Sequence, residues 1–126
     1  MHEKRIEIRW RDLDAAGHVN NAVFLTYLEE ARDEWLDRTL GDGWEYLLAR
    51  VALDYRRELR LEDDEVLAHC SVARVGTSSV TTREGLVTAA GELAAEAEAV
   101  VVARDPASGR SRPLSAEERA ALAPEA

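Results

Sequence analysis

Asp12, Asp14, His18, Asn20 and Asn21 fall within one short stretch, DLDAAGHVNN. A carboxylate there can accept a proton or attack an electrophile, and an imidazole can orient water or a second acid. The bend through Ala15, Ala16 and Gly17 is polar and leads straight into a helical pattern. The first amides of a helix lack intrahelical partners, so developing negative charge would find donors in the same place. Taken alone, each residue has a plainer role. Asp12 and Asp14 read as turn acids, Asn20 and Asn21 as helix caps, and His18 as a satisfied turn histidine.

The elements that must position this stretch are legible on both sides. Residues 4–10, KRIEIRW, alternate, with Ile6, Ile8 and Trp10 on the face expected to be buried. From Ala22 to about Arg38 the apolar residues Phe24, Leu28, Ala31 and Trp35 recur at helical spacing, and Leu25 and Leu36 widen the stripe. Leu40-Gly41-Asp42-Gly43 supplies the stop. Trp44 to Arg50 fits either a short helix or a connection.

Beyond it the period becomes two, over Val51–Tyr55 and over 65–75, where Val66, Ala68, Cys70 and Val72 share a face. Glu62-Asp63-Asp64 and Gly76-Thr77-Ser78 are expected to be hairpin turns. Further strands are predicted at Val80–Val87 and about Glu92–Arg104. The second is rich in alanine and glutamate and would suit a helix on propensity alone. Ser115 and Glu118 form a capping box for a short last helix. The expected class is α+β, one long helix against one curled antiparallel sheet of about five strands, in a single domain over 1–126.

Composition narrows the function. A formal net charge of -9 argues against nucleic acid or an anionic membrane surface as partner. One cysteine, Cys70, allows no internal disulfide and points to a reducing, cytoplasmic setting. It alternates with apolar residues and reads as a small core side chain. No apolar run is long enough to span a bilayer. Asp12, Asp14 and His18 lack the second His or Cys cluster that would complete a metal site, so no metal or other cofactor is expected.

WRDLDAAGHVNNAVFLTYLEEAR, Trp10 to Arg32, resembles the signature of hotdog-fold thioesterases of the 4-hydroxybenzoyl-CoA thioesterase type. The HVNN portion is also similar to plant acyl-carrier-protein thioesterases, and the order of elements fits nearly the whole chain. The resemblance implies an acyl-CoA substrate, a homodimer or dimer of dimers, and active sites between subunits. It makes Asp14 the catalytic carboxylate, places the carbonyl-polarising amide near Asn21, and gives His18 a role found in only some members. The Asn20 or Asn21 side chain would hold the acyl group.

Coenzyme A also needs cations for its phosphates. Arg56, Arg57, Arg60, Arg74 and Arg83, with the Gly76-Thr77-Ser78 turn, are the candidates. The implied activity is hydrolysis of an acyl-CoA to a carboxylic acid and free thiol. The rivals are a non-catalytic acyl-CoA binding module and a hotdog hydratase or dehydratase.

Overall fold

The alternating segments form the strands and the apolar stripe forms the helix that they enclose. The structure, a computed structural model, describes residues 1–123. Its elements are β1 (His2–Glu7), α1 (Asn21–Leu40), β2 (Tyr46–Tyr55), β3 (Glu65–Val75), β4 (Ser79–Thr88), β5 (Leu93–Ala103) and α2 (Ala116–Ala121). Single 3-10 turns occupy Trp10–Asp12 and Leu61–Asp63. The strands make one antiparallel sheet in the order β1-β3-β4-β5-β2.

Helix α1 lies against β1, β3 and β4. Phe24, Leu28 and Ala31 meet Ile6, Val66, Ala68 and Leu86 in the main core, as the helical and alternating spacings require. Beneath the helix Arg32 donates two hydrogen bonds to the Glu84 carboxylate, at 2.8 and 2.9 Å, and Thr82 Oγ1 adds a third at 2.6 Å. Burial opposes the Arg32 charge, but Glu84 more than offsets it and raises the guanidinium pKa. Losing one partner would leave a buried charge unpaired, at a cost of about 3–5 kcal/mol. Cys70 is buried in the same network, and burial pushes its thiol pKa up, as suits a core side chain.

Strand β5 resolves the conflict between propensity and pattern. Ala95, Ala97 and Ala99 are buried, while Glu96 and Glu98 point outward to Arg56 and Arg50 across the β2 ladder. Hydrogen bonding on both edges, to β4 and β2, outweighs the alanine preference for helix.

Three expectations are corrected. Strand β1 stops at Glu7, and the 3-10 turn that follows leaves Trp10 77% exposed rather than buried. Part of Trp44–Arg50 is strand, because β2 begins at Tyr46. Glu62-Asp63-Asp64 is no hairpin, because β2 pairs with β5 at one edge of the sheet while β3 pairs with β1 and β4. Residues 56–64 therefore cross over from that edge, and this crossover passes the start of α1. Gly76-Thr77-Ser78 is the expected hairpin turn between β3 and β4.

Candidate active site

The DLDAAGHVNN turn closes on itself. Leu13 and Val19 form a bridge, the Asp14 N–H donates to the His18 carbonyl at 2.9 Å, and the Gly17 N–H donates to the Asp14 carbonyl at 3.1 Å. Gly17 has φ 89°, a conformation that a side chain would strain. Asp12 is the structural acid of the pair. It is buried, accepts from Tyr27 Oη at 2.6 Å and from the Arg9 N–H at 3.0 Å, and its carbonyl accepts the Asn20 N–H at 2.8 Å. Burial, reinforced by Asp12, holds the Tyr27 phenol pKa well up, so it remains a donor.

Asn20 is the N-cap. Its Oδ1 accepts the Ala22 N–H at 2.8 Å and its carbonyl accepts the Val23 N–H at 2.9 Å. Asn21 is the first helical residue, and its N–H has no hydrogen-bond partner among the described residues. The Asn21 N–H is therefore a donor left open at the head of α1.

The crossover supplies the opposite wall. The Val19 N–H donates to the Leu59 carbonyl at 2.7 Å, His18 bridges Arg60, and the Arg56 and Arg57 amides donate to the Ala94 carbonyl. Tyr55 Oη donates to the Asn21 carbonyl at 2.7 Å, and its ring meets Phe24 edge-on at 5.0 Å. His18 stands between two acids, with Nε2 3.0 Å from Glu58 and Nδ1 4.0 Å from Asp14. The Arg60 guanidinium holds the Glu58 carboxyl below its ordinary pKa, so Glu58 faces the imidazole as an anion. Asp14 Oδ1 accepts the Ala16 N–H at 2.9 Å, and its Oδ2 has no partner among the described residues. His18, Asn21, Phe24, Tyr55, Arg57 and Glu58 line a cleft of ≈ 310 Å³.

The sequence-expected residues divide into two groups. Asp14, His18, Asn20, Asn21 and Arg57 gather at the start of α1. Arg74, Gly76, Thr77 and Ser78 lie at the opposite end of the helix. There the Gly76 carbonyl accepts from Arg119, the Thr77 carbonyl from the Leu114 N–H, and Arg74 reaches Thr81. Within one chain the arginines form no common cluster. Arg57 is engaged by Asp63, Arg56 by Glu96 and Arg60 by Glu58, while Arg83 is exposed on the outer face of the sheet. Sequence reasoning missed Tyr55 and Glu58 as neighbours of His18. Only the crossover of β2 brings them there, although Tyr55 stood out as an aromatic closing an alternating strand. Among the described residues no group of three or more His, Cys, Asp and Glu side chains is placed to hold a metal.

The sequence pattern of the thioesterase-like superfamily matches residues 8–123. The chain belongs to that superfamily. A superfamily relative, the acyl-CoA thioester hydrolase YbgC of Escherichia coli O6:H1, is 28% identical over 86% of each chain. The long-chain acyl-CoA thioesterase FadM of Escherichia coli K12 is 33% identical, over 48% of this chain and 51% of FadM, so that match spans about half of either protein. A thioesterase from Thermus thermophilus, solved in complex with coenzyme A and Zn, is 36% identical. It superimposes with a TM-score of 0.87 over 96% of this chain and 90% of that one. The five-stranded curled sheet around one long helix is the hotdog fold of these thioesterases.

Proposed function

We propose that this superfamily member hydrolyses acyl-CoA thioesters, with Asp14, His18 and the Asn21 amide as its catalytic groups. The observation that carries the reading is the open Asn21 N–H at the head of α1, in the same cleft as His18, whose Nδ1 stands 4.0 Å from the Asp14 carboxylate. The thioesterase names of the relatives and the coenzyme A in the Thermus structure support the substrate class.

The chemistry asks little of the site. A leaving thiol with a pKa of roughly 8.5 needs little protonation to depart. The Asn21 amide, aligned with the helix dipole, stabilises the oxyanion, a contribution of about 3–4 kcal/mol for a donor of this type. Asp14 acts through its free Oδ2, taking a proton from the attacking water or attacking the carbonyl itself. His18, held by Glu58, orients water or the Asp14 carboxylate. Arg57 at the cleft wall offers a cation to the coenzyme A phosphates. Arg74 and the Gly76-Thr77-Ser78 turn join that role only through a second copy.

The exposed edge of β2 supports the homodimer reading. The strand lies at the sheet edge, and Leu47, Leu48 and Tyr55 on it are exposed. Antiparallel pairing of two β2 edges would cover them and join the sheets; a dimer of dimers would then use other faces. No helix of the described chain is long and apolar enough to cross a membrane. A cytoplasmic location accords with the lone buried cysteine.

Asp14→Asn tests the assignment. Free-thiol release across a panel of acyl-CoAs should fall by about 10²–10⁴-fold, the usual contribution of a general base. The melting temperature should hold, since Asp14 is 36% exposed. Full retained turnover would overturn it, and coenzyme A binding without turnover in the wild type would favour a binding module.

A further inference from the structure

The crossover grips one side chain of the turn with two of its own. Arg60 donates to Glu58 Oε1 through Nε at 2.9 Å and through Nη2 at 2.7 Å. That leaves Glu58 Oε2 facing His18 Nε2 at 3.0 Å. The backbone is zipped at the same place. His18 pairs with Arg60 in an antiparallel bridge, and the Val19 N–H donates to the Leu59 carbonyl at 2.7 Å. The side-chain contact therefore spans a joint that main-chain pairing already holds. His18 and Glu58 both line the cleft that contains Asn21.

An ionised carboxylate can only accept a hydrogen bond, and the Arg60 guanidinium keeps Glu58 ionised. The nitrogen that meets Oε2 must therefore carry the hydrogen, which makes Nε2 the N–H of the ring. In a neutral imidazole Nδ1 is then a bare acceptor. It stands 4.0 Å from Asp14 Oδ1, too far for a direct hydrogen bond but within reach of one bridging water. A water has two hydrogens to give. With Nδ1 and the Asp14 carboxylate both accepting, both are held, and its lone pairs are left to meet a carbonyl carbon. The opposite tautomer would set an Nδ1–H against that water and turn it away. The charged groups beside the ring are Asp14 from the turn and Glu58 and Arg60 from the crossover, while Arg57 on the same cleft wall is tied to Asp63.

Resting on the acyl-CoA thioesterase reading, we infer that Glu58, clamped by Arg60, is a positioning residue that fixes His18 as the Nε2–H tautomer, so that Nδ1 and Asp14 together hold the hydrolytic water. Glu58 touches neither the substrate nor the reacting atoms; it acts through the ring. The crossover thus does more than wall the cleft, because it delivers the group that decides which face of the imidazole can accept.

Glu58→Gln separates this role from a packing role. Glutamine matches glutamate in shape, but Arg60 has only donors and takes its carbonyl. The amide NH2 is left facing Nε2 and selects the opposite tautomer, with the hydrogen on Nδ1. Glu58→Gln should therefore lower kcat for acyl-CoA hydrolysis by about 10²-fold, the lower end of what a positioned acid–base group contributes, with KM little changed. Glu58→Ala, which leaves the tautomer unconstrained, should lose less. The ring 15N shifts of His18, recorded at about pH 8, above the ordinary histidine range, give the direct readout. They are assigned by their loss in His18→Ala. Wild type should show a protonated Nε2 and a bare Nδ1, and Glu58→Gln the reverse. A wild-type ring protonated on Nδ1, or a Glu58→Gln variant more active than Glu58→Ala, overturns the inference and leaves the thioesterase reading intact. Wild-type protein that releases no thiol from any acyl-CoA overturns both.

Discussion

The two ends of α1 are built on opposite principles. At the C-terminal end a set of strong groups is mutually engaged. Glu118 accepts from Arg112 at 2.7 and 2.8 Å, from Trp44 Nε1 and from the Ser115 N–H, while Arg119 caps the Gly76 carbonyl. Leu114 and Leu122 are buried beneath, with Trp35, Leu40 and Trp44 packed beside them. At the N-terminal end the Asn21 N–H and Asp14 Oδ2 remain open, and His18 is 34% exposed. One helix thus carries a sealed end that holds the fold and an unsatisfied end that can do chemistry.

The sharpest way to break this contrast is to remove the open donor and nothing else. Asn21 is the first helical position, where proline is well tolerated because its N–H would be unpaired anyway. Asn20 already has φ -58° and ψ 137°, the conformation a residue before proline prefers. Asn21→Pro should therefore fold normally yet lose about 10²–10³-fold in kcat, the size of one oxyanion donor. Asn21→Ala, which keeps the amide, should lose far less. Equal losses in the two variants would assign the effect to the side chain and discard the amide as the oxyanion donor.

The sealed end predicts the reverse pattern. Glu118→Ala should lower stability by about 1.5–3 kcal/mol, the range for hydrogen bonds to a charged group, while turnover per folded molecule stays unchanged. The Arg112 guanidinium, more than any other neighbour, depresses the Glu118 carboxyl far below its ordinary value of 4.5. A depressed folded-state pKa means that the unfolded chain binds the proton more readily. The stabilisation is thus complete above pH 4.5 and lost progressively as pH falls below it. Denaturant titrations should show a shallower acid limb in Glu118→Gln than in wild type, and parallel limbs would contradict the clamp.

How much of this was legible beforehand differs between the ends for physical reasons. The spacing of Phe24, Leu28, Ala31 and Trp35 specified α1 because one face is buried along its length. Alternation located β3 and β4 for the same reason, and the Ser115–Glu118 capping box was readable because it is local. Strand β2 was half hidden: as an edge strand, its first half is exposed on both faces, so no period marks it. That blindness propagated. Without knowing that β2 joins the far edge of the sheet, nothing in the sequence brings Tyr55 and Glu58 to His18. Nor does anything there separate Arg57 from Arg74 by the length of the helix. Asp14, Asn20 and Asn21 were legible because they are contiguous; their partners were not, because topology delivers them.

The smallest test uses the caps, since each helix begins on a side chain accepting from its own first turn. Asn20 Oδ1 takes the Ala22 N–H at 2.8 Å, and Ser115 Oγ takes the Glu118 N–H at 3.1 Å. Removing either cap by substitution with alanine should cost about 1 kcal/mol of stability. The thermodynamic losses are expected to match; the kinetic ones are not. Asn20 also fixes the backbone immediately before the open amide, so Asn20→Ala lets the Asn21 N–H wander from its aim. If that amide is the proposed oxyanion donor, displacement of a few tenths of an ångström weakens it, because such a donor must meet the oxyanion at about 2.7–3.1 Å. Ser115→Ala disturbs only groups that are already paired among themselves. Asn20→Ala should lower kcat several-fold with KM little changed, whereas Ser115→Ala should leave both alone at a temperature where each variant is fully folded. Equal kinetic effects from the two caps would mean that the helix start is no better organised for turnover than the sealed end.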